Sequence, residues 1–125
     1  MCSNKLKDSI TKLEAKAKRE SLELTFKHQL KAVGLGEGWH CQYQFWEGRK
    51  FAIDFAMVDK KLAIEIEGGT WINGGHNRGR IFESNCEKYN ELAKRGWTLF
   101  RFTTGMITSG KAIMFVEDFM KGAKV

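Results

Sequence analysis

Apolar residues recur at helical spacing over the first third of the chain. They form two stripes at intervals of three and four residues, on faces that are shifted relative to each other. The first stripe contains Leu6, Ile10, Leu13 and Ala17, and the second contains Leu22, Phe26, Leu30 and Val33. Gly34 follows the second stripe and is a typical helix end. The pattern predicts helix over residues 5–33, with a bend or a break near residues 19–21.

Strand-like segments occupy the middle of the chain. Runs rich in aromatic and β-branched residues predict strands over residues 40–46, 51–58, 61–67 and 97–102. Residues 68–79 contain five glycines and no apolar periodicity. This composition predicts a long loop before the last strand.

Two further helices are predicted in the second half. Their apolar stripes contain Phe82, Cys86, Tyr89 and Ala93 in one helix, and Ile113, Val116 and Met120 in the other. Ser109 is a candidate N-cap of the closing helix. The order α, β, β, β, α, β, α predicts an α/β (α+β) protein with a mixed sheet flanked by helices. We expect one domain over residues 1–125, in which residues 1–20 form a basic helical arm.

The segment 51–69 carries the most specific pattern, that of a β-hairpin. With Asp59 and Lys60 as its loop, Phe55 faces Ile64 and Asp54 faces Glu65. Alternation sorts the side chains onto two faces, of which the apolar one is expected to be core. The apolar face carries Phe51, Ile53, Phe55, Met57, Leu62, Ile64 and Ile66. The other face carries Ala52, Asp54, Ala56, Ala63, Glu65 and Glu67.

The carboxylates on this second face suggest metal binding. Directly opposed side chains have Cβ atoms about 4.5–5.5 Å apart, so Asp54 and Glu65 destabilise the sheet unless something neutralises them. A divalent cation does so, and hard oxygen ligands suit Mg²⁺ or Mn²⁺. The alanines are expected to leave an open floor around the acids. The alternative is a solvated face whose acids pair with lysines.

Charge and composition narrow the class of protein. The 125 residues carry 21 Lys and Arg against 15 Asp and Glu, a formal net charge of +6 at pH 7. This excess favours an anionic partner such as nucleic acid, although solubility alone would also explain it. No apolar run suggests a membrane span or a leader, so no membrane partner is expected. Three cysteines without CxxC spacing favour free thiols and a cytoplasmic location.

The order of the acidic motifs resembles the acidic core of the PD-(D/E)XK nuclease superfamily: Asp54 comes first, a hairpin follows, and then Glu65-Ile66-Glu67. More narrowly, the chain resembles small phage and bacterial endonuclease-like proteins related to the very-short-patch-repair (Vsr) and DUF559 groups. The resemblance lies in five segments, which occur in the order FAIDFA, LAIEIEGGTW, GGHNRG, FESNCEKYNELAKRGW and LFRFT. With the helix around Glu23, the resemblance covers about 80 residues. It implies a restriction-endonuclease-like fold with a four-stranded mixed sheet, and a metal site on the central hairpin.

The resemblance implies roles for individual residues. Asp54, Glu65 and the backbone carbonyl of Ile66 would bind the metal ion. Glu23 would be the acid that the superfamily often places on its first helix. A metal ion held in this way lowers the pKa of bound water and polarises a phosphoryl oxygen.

The chain departs from the superfamily at one position. The usual lysine, two positions after the second acid, is here Glu67. We expect Glu67 to orient or deprotonate the attacking water. Lys88 is the candidate for a lysine that has moved to the following helix, where it would contact the scissile phosphate. An ordinary surface lysine is the alternative for Lys88.

The glycine-rich loop carries candidate DNA contacts. Glycines let backbone N–H groups approach phosphates, and Arg78 and Arg80 are suitable phosphate ligands. His76 would act as a general acid or base or touch the DNA backbone, and its alternative is a capping or surface role. Trp71 would stack on a base or wedge into a junction, and its alternative is a lid over the core.

The predicted function is a Mg²⁺-dependent (or Mn²⁺-dependent) DNA endonuclease that acts on branched or structured DNA, by resolving junctions or by nicking. The alternative is a non-catalytic nucleic-acid-binding module with a nuclease-like fold, and a third possibility is a structural subunit of a phage or repair assembly. The expected partner is DNA. Because one such site cuts one strand, symmetric cleavage would need a homodimer or two binding events.

Overall fold

The computed structural model describes residues 2–68 and 78–122. Within these residues the helices and strands follow the predicted order, with one additional 3₁₀ turn and one additional short helix. In chain order they are α1 (Cys2–Ala32), β1 (His40–Gln44), β2 (Ala52–Met57), the 3₁₀ turn (Val58–Lys60), β3 (Leu62–Glu67), α2 (Arg78–Lys94), β4 (Thr98–Thr103), α3 (Thr104–Thr108) and α4 (Lys111–Met120).

The strands of the described residues form one mixed sheet in the order β1-β2-β3-β4. Neighbours are antiparallel except for β3 and β4, which are parallel because the connection through α2 crosses over the sheet. Phe55 pairs with Ile64 as expected. The hairpin loop is longer than the expected two residues, since a 3₁₀ turn and the left-handed Lys61 join the two strands. The predicted class, a four-stranded mixed sheet flanked by helices, is confirmed.

Hydrophobic clusters cover both faces of the sheet. On one face, residues of α1, α3 and α4 pack against the sheet. On the other face, Leu92 of α2 packs against Ile53, Ala56 and Ala63. Two expectations are therefore wrong: Ile53 does not share a face with Phe55, and two of the three alanines expected to form an open floor, Ala56 and Ala63, are completely buried.

The helices differ from the prediction at two places. α1 is continuous, so the predicted break is absent: residues 19–21 contain neither proline nor glycine to interrupt its hydrogen bonds. Ser109 does not cap α4: it ends α3, and the N-cap of α4 is the left-handed Gly110. In the part of the chain that the structure describes, every helix falls short of the length and apolar character that a membrane span requires.

Phe26 is central to the larger cluster. It is completely buried, and its ring centroid lies 5.5 Å from that of Phe55 and 6.0 Å from that of Phe102. Phe26→Ala is expected to lower the free energy of unfolding by about 3–5 kcal/mol, because it removes apolar contacts and leaves a cavity. Phe82→Ala is the matched control, since Phe82 is 69% exposed, and its effect should stay below about 0.5 kcal/mol. Urea denaturation measures both variants, and an equal loss in the free energy of unfolding for Phe26→Ala and Phe82→Ala would contradict this assignment of the core.

Candidate active site

Two carboxyl groups meet on the central hairpin, one from β2 and one from β3. Asp54 is 8% exposed and Glu65 is 7% exposed. The two carboxyl groups are close enough that the charge of Asp54 raises the pKa of Glu65. The backbone N–H of Ile66 donates to Asp54 Oδ2 at 2.8 Å and holds this side chain in place. The structure thus brings the two acids together, in a more buried setting than the open floor that the sequence suggested.

Lys88 of α2 enters the same site. It is 8% exposed, its ammonium group forms an ion pair with Glu65 Oε1, and it donates a hydrogen bond to the carbonyl oxygen of Ala52. The alternative of an ordinary surface lysine is therefore wrong. α2 presents Lys88 and Leu92 to the sheet, and this rotation leaves Phe82 and Ala93 of the predicted stripe exposed.

The surroundings of Glu65 favour its protonated form. Burial and then the negative charge of Asp54 raise the pKa of Glu65, Lys88 lowers it, and the net result is a pKa of about 8. At neutral pH Glu65 is therefore mostly protonated. A strongly perturbed buried acid with a specific charged neighbour is typical of a functional site.

This perturbed pKa predicts how stability changes with pH. A Glu65 carboxyl group titrates near 4.5 in the unfolded chain and near 8 in the folded protein, so the folded state holds the extra proton between these values. The resulting stabilisation is complete below pH 4.5 and is lost as the pH rises through 8. We expect Glu65→Gln to flatten this decline in thermal unfolding between pH 5 and 8. A slope unchanged by the substitution would contradict the assignment.

Glu67 is held in a separate set of contacts. Its Oε1 accepts hydrogen bonds from the Tyr89 hydroxyl at 2.9 Å and from Arg101 Nε at 2.7 Å. Burial and the bond to Glu67 raise the pKa of the Tyr89 hydroxyl, which therefore remains a donor. The sequence pattern assigned Tyr89 to an apolar stripe and gave no sign of this contact, since a stripe position does not show where a hydroxyl group points.

Glu23 approaches the acid pair through Gln42. The side-chain amide of Gln42 donates to Glu23 Oε1 at 3.0 Å and to Asp54 Oδ1 at 3.2 Å. Burial and then the charge of Asp54 raise the pKa of Glu23, whereas the hydrogen bond from Gln42 lowers it. Gln42 was not a candidate in the sequence, where it is one of two glutamines in a strand.

The remaining candidate residues lie inside or next to the segment between residues 68 and 78, which the structure does not describe. Trp71 and His76 lie outside the described residues. Arg78 begins α2, but its side chain is also outside the described part, and Arg80 is exposed in the first turn of that helix. Their roles in DNA binding stay predictions, as does metal binding by the Ile66 carbonyl.

The donor set is suitable for a hard divalent cation. Within residues 2–68 and 78–122, no three His, Cys, Asp or Glu side chains come close enough to form a metal site by themselves. Mg²⁺, however, is commonly held by one or two protein carboxylates, with water completing its shell. Asp54 and Glu65 supply two adjacent hard oxygen donors whose repulsion Lys88 only partly offsets. These two residues would hold the ion.

Comparisons with known proteins add no assignment. No family model matches the chain, and neither the search of curated proteins nor the search of solved structures found a match. The likeness to PD-(D/E)XK nucleases therefore stays a prediction from the motifs.

Proposed function

We propose that this protein is a metal-dependent DNA endonuclease that hydrolyses phosphodiester bonds. The supporting observation is the buried set of Asp54, Glu65 and Lys88, in which two neighbouring carboxyl groups interact and a lysine pairs with one of them. A purely structural site would gain little from this set, because two adjacent buried acids repel each other. Binding of a cation and a phosphate would use all three groups.

The residues would divide the chemistry among them. A Mg²⁺ ion held by Asp54 and Glu65 would supply Lewis-acid activation of water and neutralise phosphate charge. Lys88, exchanging its partner Glu65 for the scissile phosphate, would stabilise the negative charge that develops there. Glu67, fixed by Arg101 and Tyr89, would orient the attacking water and accept its proton.

The basic arm supports DNA as the substrate. Residues 5–20 carry six basic and three acidic side chains, and all of them are exposed. Lys5, Lys12 and Arg19 recur every seven residues and so share one face of α1. We propose branched or otherwise structured DNA, since an arm that extends beyond the sheet can contact a second duplex. Binding to it should weaken steeply with salt, because each phosphate contact releases a counterion.

A second copy of the chain is the proposed partner of the arm. The stripe from Leu6 to Ala17 has coiled-coil spacing, and Leu6, Ile10 and Leu13 are 62%, 45% and 65% exposed. In an antiparallel pair centred on this stripe, Lys7 of each helix would lie near Glu14 of the other. This charge complementarity favours a homodimer, which would supply one site for each strand.

Light scattering tests the proposed dimer. The protein is expected to elute as a dimer, and Leu13→Glu is expected to give a monomer because it places a charge in the apolar stripe. Lys12→Glu, which changes a charge beside the stripe, is the matched control and should leave the dimer intact. A monomeric wild-type protein at micromolar concentration would contradict this arrangement.

A cleavage assay tests the proposed activity. Purified protein is incubated with supercoiled plasmid, linear duplex, hairpin and four-way-junction DNA, in Mg²⁺ and then with EDTA. We expect Mg²⁺-dependent cleavage that EDTA abolishes, with the junction cut fastest. Binding without cleavage would instead support the non-catalytic module, and neither binding nor cleavage would support a structural subunit.

A further inference from the structure

Gln42 has an unusual backbone conformation for its position. Its φ is +52°, in the left-handed region, yet it lies inside β1 between two residues that keep a regular antiparallel register with β2. Cys41 pairs with Phe55 and Tyr43 pairs with Ile53, so Gln42 lies opposite Asp54. Non-glycine residues rarely adopt this conformation, and those that do cluster at functional sites.

The conformation of Gln42 coincides with a change of face in both strands. Phe55 packs in the cluster of α1, whereas Ile53, two residues earlier, packs with Leu92 of α2. Tyr43 likewise packs on the α2 side. Regular alternation would place Ile53 and Phe55 on the same face. The pair Gln42 and Asp54 therefore lies where the strands reverse their side-chain directions.

The amide of Gln42 uses this position to contact two acids from different elements. Its Nε2 donates to Glu23 Oε1 of α1 at 3.0 Å and to Asp54 Oδ1 of β2 at 3.2 Å. The other oxygen of Asp54 accepts from Ile66 N–H at 2.8 Å. Both oxygens of Asp54 therefore have donors that fix the orientation of the carboxylate.

We propose that Gln42 is a positioning residue of the metal site: its left-handed backbone directs the side-chain amide so that it joins Glu23 to Asp54 and orients Asp54 toward Glu65. This inference deepens the proposed function and depends on it. Partners that orient a metal ligand typically change metal affinity or activity by 10–100-fold when they are removed. The strain at Gln42 is then retained for the site, since glycine would adopt the same backbone without it.

The test asks whether loss of the Gln42 side chain weakens metal binding, and compares it with relief of left-handed strain at a second position. Gln42→Gly removes both, and Lys61→Gly is the matched control, because Lys61 is the other left-handed non-glycine residue of the described chain and lies in the hairpin turn. Mn²⁺ binding is measured by calorimetry without DNA, and folding is measured by thermal unfolding. Both variants are expected to unfold at or above the wild-type temperature, because glycine relieves the strain. Gln42→Gly is expected to bind Mn²⁺ about 10–100-fold more weakly, and Lys61→Gly should bind it as the wild type does.

The possible outcomes distinguish this inference from the proposed function. If Gln42→Gly folds and binds Mn²⁺ as tightly as the wild type, the positioning role is wrong while the metal site stands. If the wild type itself binds no Mn²⁺, the metal site fails, and the role of Gln42 fails with it. If Gln42→Gly unfolds at a clearly lower temperature than the wild type, Gln42 serves the stability of the sheet, which also overturns the inference.

Discussion

Asp54→Asn is expected to abolish Mg²⁺-dependent cleavage while leaving the protein folded. The substitution keeps the size of the side chain and one acceptor for the Ile66 N–H, but it removes one of the two negative charges that would hold the cation. We expect cleavage to fall at least about 10³-fold, the scale on which a single electrostatic group contributes to catalysis. The unfolding temperature should change little, because relief of the repulsion with Glu65 is opposed by loss of the acceptor for the Gln42 amide.

Asp59→Asn is the matched control for this prediction. Asp59 is exposed in the 3₁₀ turn between β2 and β3, on the same hairpin as Asp54. The control makes the same chemical change, so it should leave both cleavage and unfolding temperature near the wild-type values. Substantial cleavage by a folded Asp54→Asn protein would remove Asp54 from the mechanism.

Lys88→Met is expected to destabilise the protein increasingly as the pH rises. Lys88 lowers the pKa of Glu65, so without it this pKa would lie above 8. At pH 6 Glu65 is protonated in both proteins, and its charge contributes no difference between them. At pH 9 the variant would have to bury an unpaired carboxylate or retain a proton, at a cost of up to about 3–5 kcal/mol. Cleavage should fall about 10²–10³-fold, because the scissile phosphate no longer contacts the positive charge of the Lys88 ammonium group.

The measurement is chemical denaturation of wild type and variant at pH 6, 7.5 and 9. Lys94→Met is the control, since Lys94 is exposed in the last turn of the same helix. The control should show a small difference from the wild type that does not depend on pH. A constant difference for Lys88→Met would mean that its ion pair with Glu65 does not govern the stability of the site.

The hairpin register could be predicted because its residues alternate regularly. A shift by one position would have exchanged the apolar and acidic faces, and placing the loop at Asp59 and Lys60 then gave the pairing of Phe55 with Ile64. The position of Lys88 near the sheet could also be predicted, since Lys88 lies at the edge of the apolar stripe of α2. Its burial could not be predicted, because only the packing of α2 on the sheet shows that the lysine, rather than Phe82, points inward.

Other features depend on a local break in periodicity that sequence patterns do not reveal. The reversal of faces between Ile53 and Phe55 coincides with the left-handed conformation of Gln42, and a glutamine gives no sign of positive φ as a glycine would. The expected open floor failed for a related reason. Alanine fits either an open surface or a close contact with a helix, and Ala63 takes the second option beneath α2.

Asp54 and Glu65 are proposed to bind one divalent cation together. The decisive measurement is anomalous diffraction from a crystal of the protein soaked in Mn²⁺. We expect an anomalous peak about 2.0–2.6 Å from carboxylate oxygens of both residues, with the Lys88 ammonium displaced from Glu65. A crystal soaked in saturating Mn²⁺ that shows no peak there, or that binds the ion elsewhere while Lys88 still pairs with Glu65, would rule out this metal site.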